Sequence, residues 1–177
     1  MRLFLSSQRL GTAPEEFAKL LWGRTRVALV PTCAYLDDPE KRRRRVAADH
    51  ADLRALGLDP TGLDLRDFAG DPDRLRAELD GFDALWVLGG NAEVLRDAFH
   101  ASGADDVVRD RLADDSLVYG GYSAGACVLG PGFPTWHDEV PDVARRGSRP
   151  ADRDSRYRGR PLHHPPALRR QTRGRGR

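Results

Sequence analysis

A serine flanked by glycines follows a short apolar segment of the chain. Residues 121–125 read Gly-Tyr-Ser-Ala-Gly and follow the apolar residues 117–119 after one further glycine. In hydrolases with this G-x-S-x-G pattern, the serine lies on a sharp turn between a strand and a helix, where its Oγ is exposed for attack. Glycines two positions to either side avoid collisions that larger side chains would make there. The spacing predicts that Ser123 is a nucleophile; an ordinary glycine turn is the alternative.

A second glycine pair could supply hydrogen-bond donors for the same chemistry. Residues 89–91 read Gly-Gly-Asn, after the apolar residues 85–88 and before a helical pattern. Backbone N–H groups of such a loop can approach a ligand because no Cβ is in the way. One of them, together with the N–H of Ala124, would form an oxyanion hole, with Gly89 and Asn91 lining the binding site. Alternatively, the glycines only make a tight turn, and Asn91 is the N-cap of the helix that follows.

Attack by a serine also requires a base, which the residues alone do not single out. His50 and His100 fall in predicted helices, where a surface role is expected. His137 precedes two carboxylates, whereas His163 and His164 lie in an arginine-rich segment near the end of the chain. All three remain candidates for the base that takes the serine proton.

Strand-like and helix-like segments alternate along the chain, which predicts a doubly wound α/β fold with a mostly parallel sheet and helices on both faces. Strands are predicted at residues 3–5, 26–31, 63–65, 84–88 and 117–119. Helices are predicted at residues 14–22 with Thr12 as N-cap, and at 38–56, 71–79, 92–101 and 105–112. Ligands of such sheets bind at the carboxyl ends of strands, where both glycine loops are expected. The basic run at residues 41–45 is interpreted mainly as a solvated helix face, with anion or nucleic-acid contact as the alternative.

Length and composition favour a single globular domain, but residues 143–177 differ from the rest in composition. The chain has 177 residues and a formal net charge of +2, but residues 143–177 contain twelve arginines and no lysine or glutamate. The acidic balance of the preceding part gives no reason to expect a nucleic-acid partner. Cys33 and Cys127 lack the spacing of a metal or redox pair, so both are expected in the core, and no metal or cofactor is predicted. No apolar run is long enough for a membrane span, which predicts a cytoplasmic protein.

The two glycine loops together resemble the dipeptidase E and cyanophycinase family of serine peptidases, whose fold is related to class I glutamine amidotransferases. Val-Pro-Thr at 30–32, Leu-Gly-Leu at 56–58, Val-Leu-Gly-Gly-Asn at 87–91 and Gly-Tyr-Ser-Ala-Gly-Ala at 121–126 carry this resemblance. They cover residues 1 to about 142 in order and spacing.

The resemblance implies roles for individual residues. Ser123 matches the family nucleophile, and the N–H groups of Gly90 and Ala124 match its oxyanion hole. Asp138 matches an acidic residue that belongs to the family's triad, and His163 falls near the interval expected for the triad histidine. The implied function is a serine-type peptidase that hydrolyses small peptides, with aspartyl dipeptides or related isopeptides as substrates.

The chain departs from the family pattern after Pro141. The family continues with a strand that bears the triad histidine in a Pro-His-aromatic context, but residues 143–177 show no buried-strand pattern. We interpret residues 1–142 as the α/β hydrolase-like domain and residues 143–177 as a poorly ordered Arg/Pro-rich tail. A shifted reading frame near residue 143 is favoured over a diverged basic tail. Two other functions stay open: a member that binds a small molecule or peptide without turnover, and RNA binding through the arginines.

Overall fold

The fold is built on a parallel sheet of five strands, and the computed structural model describes residues 1–130. The strands are β1 (Arg2–Ser6), β2 (Arg26–Val30), β3 (Asp59–Gly62), β4 (Ala84–Val87) and β5 (Val118–Tyr122). Every pair is parallel, and the order across the sheet is β1-β5-β4-β2-β3. The predicted α/β class with a doubly wound, parallel sheet is confirmed.

Helices connect the strands and begin where the sequence supplies caps. They are α1 (Pro14–Leu20), α2 (Pro39–Ala55), α3 (Pro72–Leu79), α4 (Ala92–Ser102), α5 (Ala104–Ala113) and α6 (Ala124–Cys127). Proline at the first position of α1, α2 and α3 fits because that position needs no N–H donor. The side chain of Asp38 accepts from the N–H groups of Glu40 and Lys41, which fixes the start of α2.

Two local predictions are wrong. The third strand comprises Asp59–Gly62 rather than residues 63–65, and Leu65–Phe68 forms a 3₁₀ turn. Because β3 lies at the sheet edge, it tolerates Pro60, which removes one N–H from the strand. The residue that precedes α1 as its N-cap is Ala13, without a side-chain cap, rather than Thr12.

An aromatic cluster on one face of the sheet places β4 and β5 side by side. Trp86 lies between three rings, with centroid distances of 5.0 Å to Phe17, 6.1 Å to Phe4 and 6.0 Å to Tyr122. Gly120 leaves room for this cluster, because a Cβ there would lie 2.6 Å from both Phe17 and Trp86. The cluster therefore packs β4 and β5 against β1 and α1, next to the turn that follows β5. No helix within residues 1–130 is long and apolar enough to cross a bilayer.

Candidate active site

Ser123 lies on a strained turn between β5 and α6. Its backbone has φ 51° and ψ −118°, a positive-φ conformation that a non-glycine residue adopts only when its surroundings enforce it. The Ser123 N–H donates to the carbonyl of Ser6 at 3.1 Å, and its carbonyl accepts from the N–H groups of Ala126 and Cys127, each at 2.9 Å. The residue itself is exposed although its neighbours on both sides are buried. Such strain at an exposed serine is the geometry expected of a nucleophile elbow.

The flanking glycines are required by close backbone packing. A Cβ on Gly121 would lie 2.8 Å from the carbonyl oxygen of Gly125, and a Cβ on Gly125 would lie 2.2 Å from the carbonyl oxygen of Val87. The hydroxyl of Tyr119 donates to the Gly125 carbonyl at 2.5 Å. The collisions expected for larger side chains at these two positions are confirmed.

The second glycine loop packs directly against Ser123. A Cβ on Gly89 would lie 2.8 Å from the Cβ of Ser123 and 2.8 Å from the ring of Tyr122. Gly90 has φ 154°, and a Cβ there would lie 2.7 Å from the carbonyl oxygen of Cys33. Only glycine fits at either position. Because Gly89 has no Cβ, the backbone of the loop can pack directly against Ser123.

Asn91 is the N-cap of α4, which is the alternative that the sequence left open. Its side-chain oxygen accepts from the N–H of Val94 at 2.9 Å and thereby caps α4. Its own N–H donates to the carbonyl of Cys33 at 3.0 Å. The cap fixes the exit of the loop into α4, which makes Asn91 a structural residue of the loop whether or not it also contacts a ligand.

Backbone N–H groups of the glycine loop and of the first turn of α6 have no protein acceptor within residues 1–130. They include the N–H of Gly90, in the glycine loop, and that of Ala124, the first residue of α6. The first N–H groups of a helix have no partner within the helix, so the donor of Ala124 is available by geometry. An oxygen bound beside Ser123 could satisfy both donors.

The rest of the predicted triad lies outside the described residues. Asp138 and His163 belong to the part after residue 130, as do the alternative bases His137 and His164. The two remaining histidines lie on α2 and α4, as predicted. The acid and base of the triad therefore stay predictions.

A buried carboxylate of α2 binds side chains of β4 and β5 next to the Ser123 turn. Asp49 of α2 is 3% exposed and accepts from the indole N–H of Trp86 at 2.9 Å and from the hydroxyl of Tyr122 at 3.2 Å. Burial raises the pKa of this carboxyl above its usual value. Burial also raises the pKa of the Tyr122 phenol, to about 12, so the phenol remains a donor at neutral pH. Asp49 thus joins α2 to Tyr122, the residue that precedes Ser123.

Sequence reasoning missed the roles of Arg45 and Asp49 on α2, whereas Cys33 lies in the core as expected. The interpretation of residues 41–45 as a solvated face is wrong for Arg45, whose side chain is only 26% exposed. Arg45 and Asp49 are four positions apart and share one face of α2, which is the signal that could have identified them. The surrounding arginines obscured it.

Comparison with known proteins agrees with this geometry. The model of peptidase family S51 matches residues 3–148. The chain belongs to peptidase family S51. This confirms the resemblance to the dipeptidase E family and, with it, to the serine peptidases.

Individual relatives are bacterial peptidases. An uncharacterized peptidase of Listeria innocua, Lin0382, is 32% identical over 131 residues, which cover 73% of this chain and 59% of the relative. A 1.5 Å crystal structure of a candidate peptidase E of Listeria monocytogenes superposes with a TM-score of 0.64 and 28% identity, over 80% of this chain and 67% of that one. A peptidase from an acI-B1 actinobacterium shares the fold, with a TM-score of 0.57, 18% identity and coverage of 72% and 55%. The S51 chain thus spans about three fifths of the curated relative's length.

The buried thiol of Cys33 is expected to be inert. It donates to the carbonyls of Leu88 and Gly89 at 3.0 and 2.8 Å, and burial raises its pKa to about 12. At pH 8 only about one thiol in 10⁴ would be ionised, and the thiolate is the reactive form. The prediction that both cysteines lie in the core is wrong for Cys127, which is exposed. We expect Ellman's reagent to modify only this cysteine in the native chain, and both cysteines after unfolding.

Two single variants serve as controls for this titration. Cys127→Ser should leave no thiol that reacts in the native state, whereas Cys33→Ser should still give one. Rapid modification of two thiols in the folded wild type would contradict the burial of Cys33.

Proposed function

We propose that this S51 chain is a serine-type peptidase that hydrolyses small peptides, with aspartyl dipeptides or related aspartyl isopeptides as its substrate class. The observation that carries the proposal is the positive-φ turn at the exposed Ser123, with Gly89 of the second loop packed against it. The comparisons support peptidase chemistry, and the aspartyl preference follows the family resemblance alone.

The proposed reaction begins with attack by Ser123. Its Oγ forms a bond to the carbonyl carbon of the scissile peptide, while a histidine takes the hydroxyl proton. The N–H groups of Gly90 and Ala124 stabilise the negative charge that develops on the carbonyl oxygen. Asp138 orients the histidine, for which His163 is our first assignment.

Breakdown of the tetrahedral intermediate releases the amine and leaves an acyl-enzyme. The C–N bond breaks, the histidine returns its proton to the leaving amine, and the acyl group remains on Oγ. Water then attacks the acyl-enzyme with the same histidine as base, which releases the acid and regenerates the serine hydroxyl.

Covalent labelling tests the nucleophile. A fluorophosphonate should modify the native chain at a single site, and peptide mapping should locate the adduct on Ser123. Ser123→Ala should abolish labelling without a change in thermal stability, because the exposed hydroxyl makes no hydrogen bond within residues 1–130. Heat-denatured protein is the control for non-specific reaction.

Substrate preference is tested separately. Hydrolysis of an N-terminal aspartyl dipeptide is compared with that of the matched asparaginyl dipeptide, for the wild type and for Ser123→Ala. Turnover of the aspartyl peptide that depends on Ser123 supports the proposal. Labelling without turnover, together with measurable binding of the dipeptide, would instead favour the non-catalytic binding protein.

A further inference from the structure

The side chain of Arg45 interacts with both the glycine loop and the end of β5. One guanidinium nitrogen donates to the carbonyl oxygen of Gly89, and another pairs with the carboxylate of Asp37. The guanidinium also interacts with the hydroxyl of Tyr122, the residue before the nucleophile. A single side chain of α2 therefore joins the glycine loop to the end of β5.

The contact with Gly89 determines where the next N–H group points. The same carbonyl accepts a hydrogen bond from the thiol of Cys33 at 2.8 Å, so Arg45 and Cys33 hold it from their side of the loop. In a trans peptide, the carbonyl and the following N–H point in opposite directions, and residues 1–130 contain no cis peptide. The N–H of Gly90 is accordingly directed away from Arg45 and Cys33.

Such an anchor is needed because the loop has little stiffness of its own. Two consecutive glycines allow the peptide between them to rotate into alternative conformations that residues with a Cβ could not adopt. Arg45 is held in turn by Asp37, whose pKa is lowered by hydrogen bonds from Lys41 and Arg45 and which therefore stays ionised. The contacts from Asp37, in the turn before α2, through Arg45 to Gly89 therefore hold the glycine loop.

We infer that Arg45 is a positioning residue of the oxyanion hole: by holding the Gly89 carbonyl, it keeps the Gly90 N–H directed at the oxygen that becomes negatively charged beside Ser123. This inference rests on the proposed function. Arg45 itself touches neither the nucleophile nor the substrate; it acts through the peptide between Gly89 and Gly90.

The test measures how fast a fluorophosphonate modifies Ser123 in three proteins: the wild type, Arg45→Met and Arg44→Met. Methionine keeps most of the aliphatic stem but donates no hydrogen bond. Since loss of one oxyanion donor typically costs about 10²- to 10³-fold in rate, we expect Arg45→Met to slow the bond-forming step by about 10- to 100-fold, with little change in the concentration that gives half-maximal rate. Arg44 is the matched control, because it is 70% exposed and its carboxylate contact, with Glu40, is long at 3.8 Å.

Chemical rescue separates positioning from a merely structural role. Arg45→Ala leaves a partly solvent-accessible space, into which added methylguanidine should bind and restore labelling, whereas methylammonium should not. Thermal unfolding of each variant shows whether the fold survives. If Arg45→Ala does not fold, the rate of Arg45→Met decides.

The labelling rates distinguish a failure of the Arg45 inference from a failure of the proposed function. Labelling of the wild type with slow labelling of Arg45→Met supports the inference. Equal rates for the wild type and a folded Arg45→Met overturn it and leave the proposed nucleophile intact. Absence of labelling in the wild type overturns the proposed function, and the role of Arg45 with it.

Discussion

Gly125→Ala is expected to destabilise the folded chain by at least about 3 kcal/mol, at the upper end of what overpacking costs. The added Cβ would lie 2.2 Å from the carbonyl oxygen of Val87, 2.9 Å from its carbonyl carbon and 3.1 Å from the carbonyl oxygen of Leu88. All three atoms belong to the backbone that ends β4, so no side-chain rotation relieves the contact. Since domains of this kind have a total stability of only about 5–15 kcal/mol, one methyl group removes much of it.

Urea unfolding followed by tryptophan fluorescence measures this change. Gly62→Ala is the matched control, because a Cβ there has no neighbour within 4 Å and the residue does not have a positive φ. We expect that variant to stay within about 0.5 kcal/mol of the wild type. Equal unfolding midpoints for the two variants would mean that the close packing between α6 and β4 is wrong.

Asp49→Ala is expected to cost about 3 kcal/mol, because it leaves the buried indole N–H of Trp86 and the hydroxyl of Tyr122 without their acceptor. It also leaves a small cavity next to the aromatic cluster. Asp49→Asn keeps the shape and one acceptor oxygen, so its loss should be clearly smaller. The free energies of unfolding of both variants at pH 7 test the difference, and equal losses would argue against the two hydrogen bonds.

The same carboxyl predicts a pH dependence. Burial raises the pKa of Asp49 in the folded chain, so over the range between its unfolded and folded pKa the native state binds more protons than the unfolded state. Its contribution to stability is therefore largest at low pH and is lost as the pH rises through the folded pKa. Asparagine does not titrate, so the stability of the wild type relative to Asp49→Asn should increase as the pH is lowered from about 7 to about 4. A constant difference would contradict the raised pKa.

The strained turn at Ser123 could be predicted because its requirements are local. Residues 121–125 carry the two glycines that the turn needs. Residues 89 and 90 are likewise the glycines that allow the second loop to pack on Ser123. Local sequence also determines three of the six helix starts within residues 1–130, since Asp38, Asp71 and Asn91 each accept a hydrogen bond from the first turn.

The parts that escaped prediction depend on long-range contacts. Asp59–Gly62 reads Asp-Pro-Thr-Gly, a turn-like sequence, and becomes a strand because β2 offers it a partner. Arg45 and Asp49 lie on a strongly charged helix, where only the neighbouring loop and strand distinguish them from surface residues. For Asp138 and His163, the prediction rests on the family resemblance, since they lie beyond the described residues.

The hydrogen bond from Ser123 to Ser6 has a consequence for how the chain folds. β5 pairs with β1, and Arg2 bonds to Asp115 across 113 positions of sequence. Closing so long a segment is entropically costly and slow compared with local helix formation. The strained turn therefore gains its last backbone support only when this most distant strand pair forms. Reactivity of Ser123 should appear at the end of refolding, after most helical signal has been recovered, so the candidate site reports completion of the sheet.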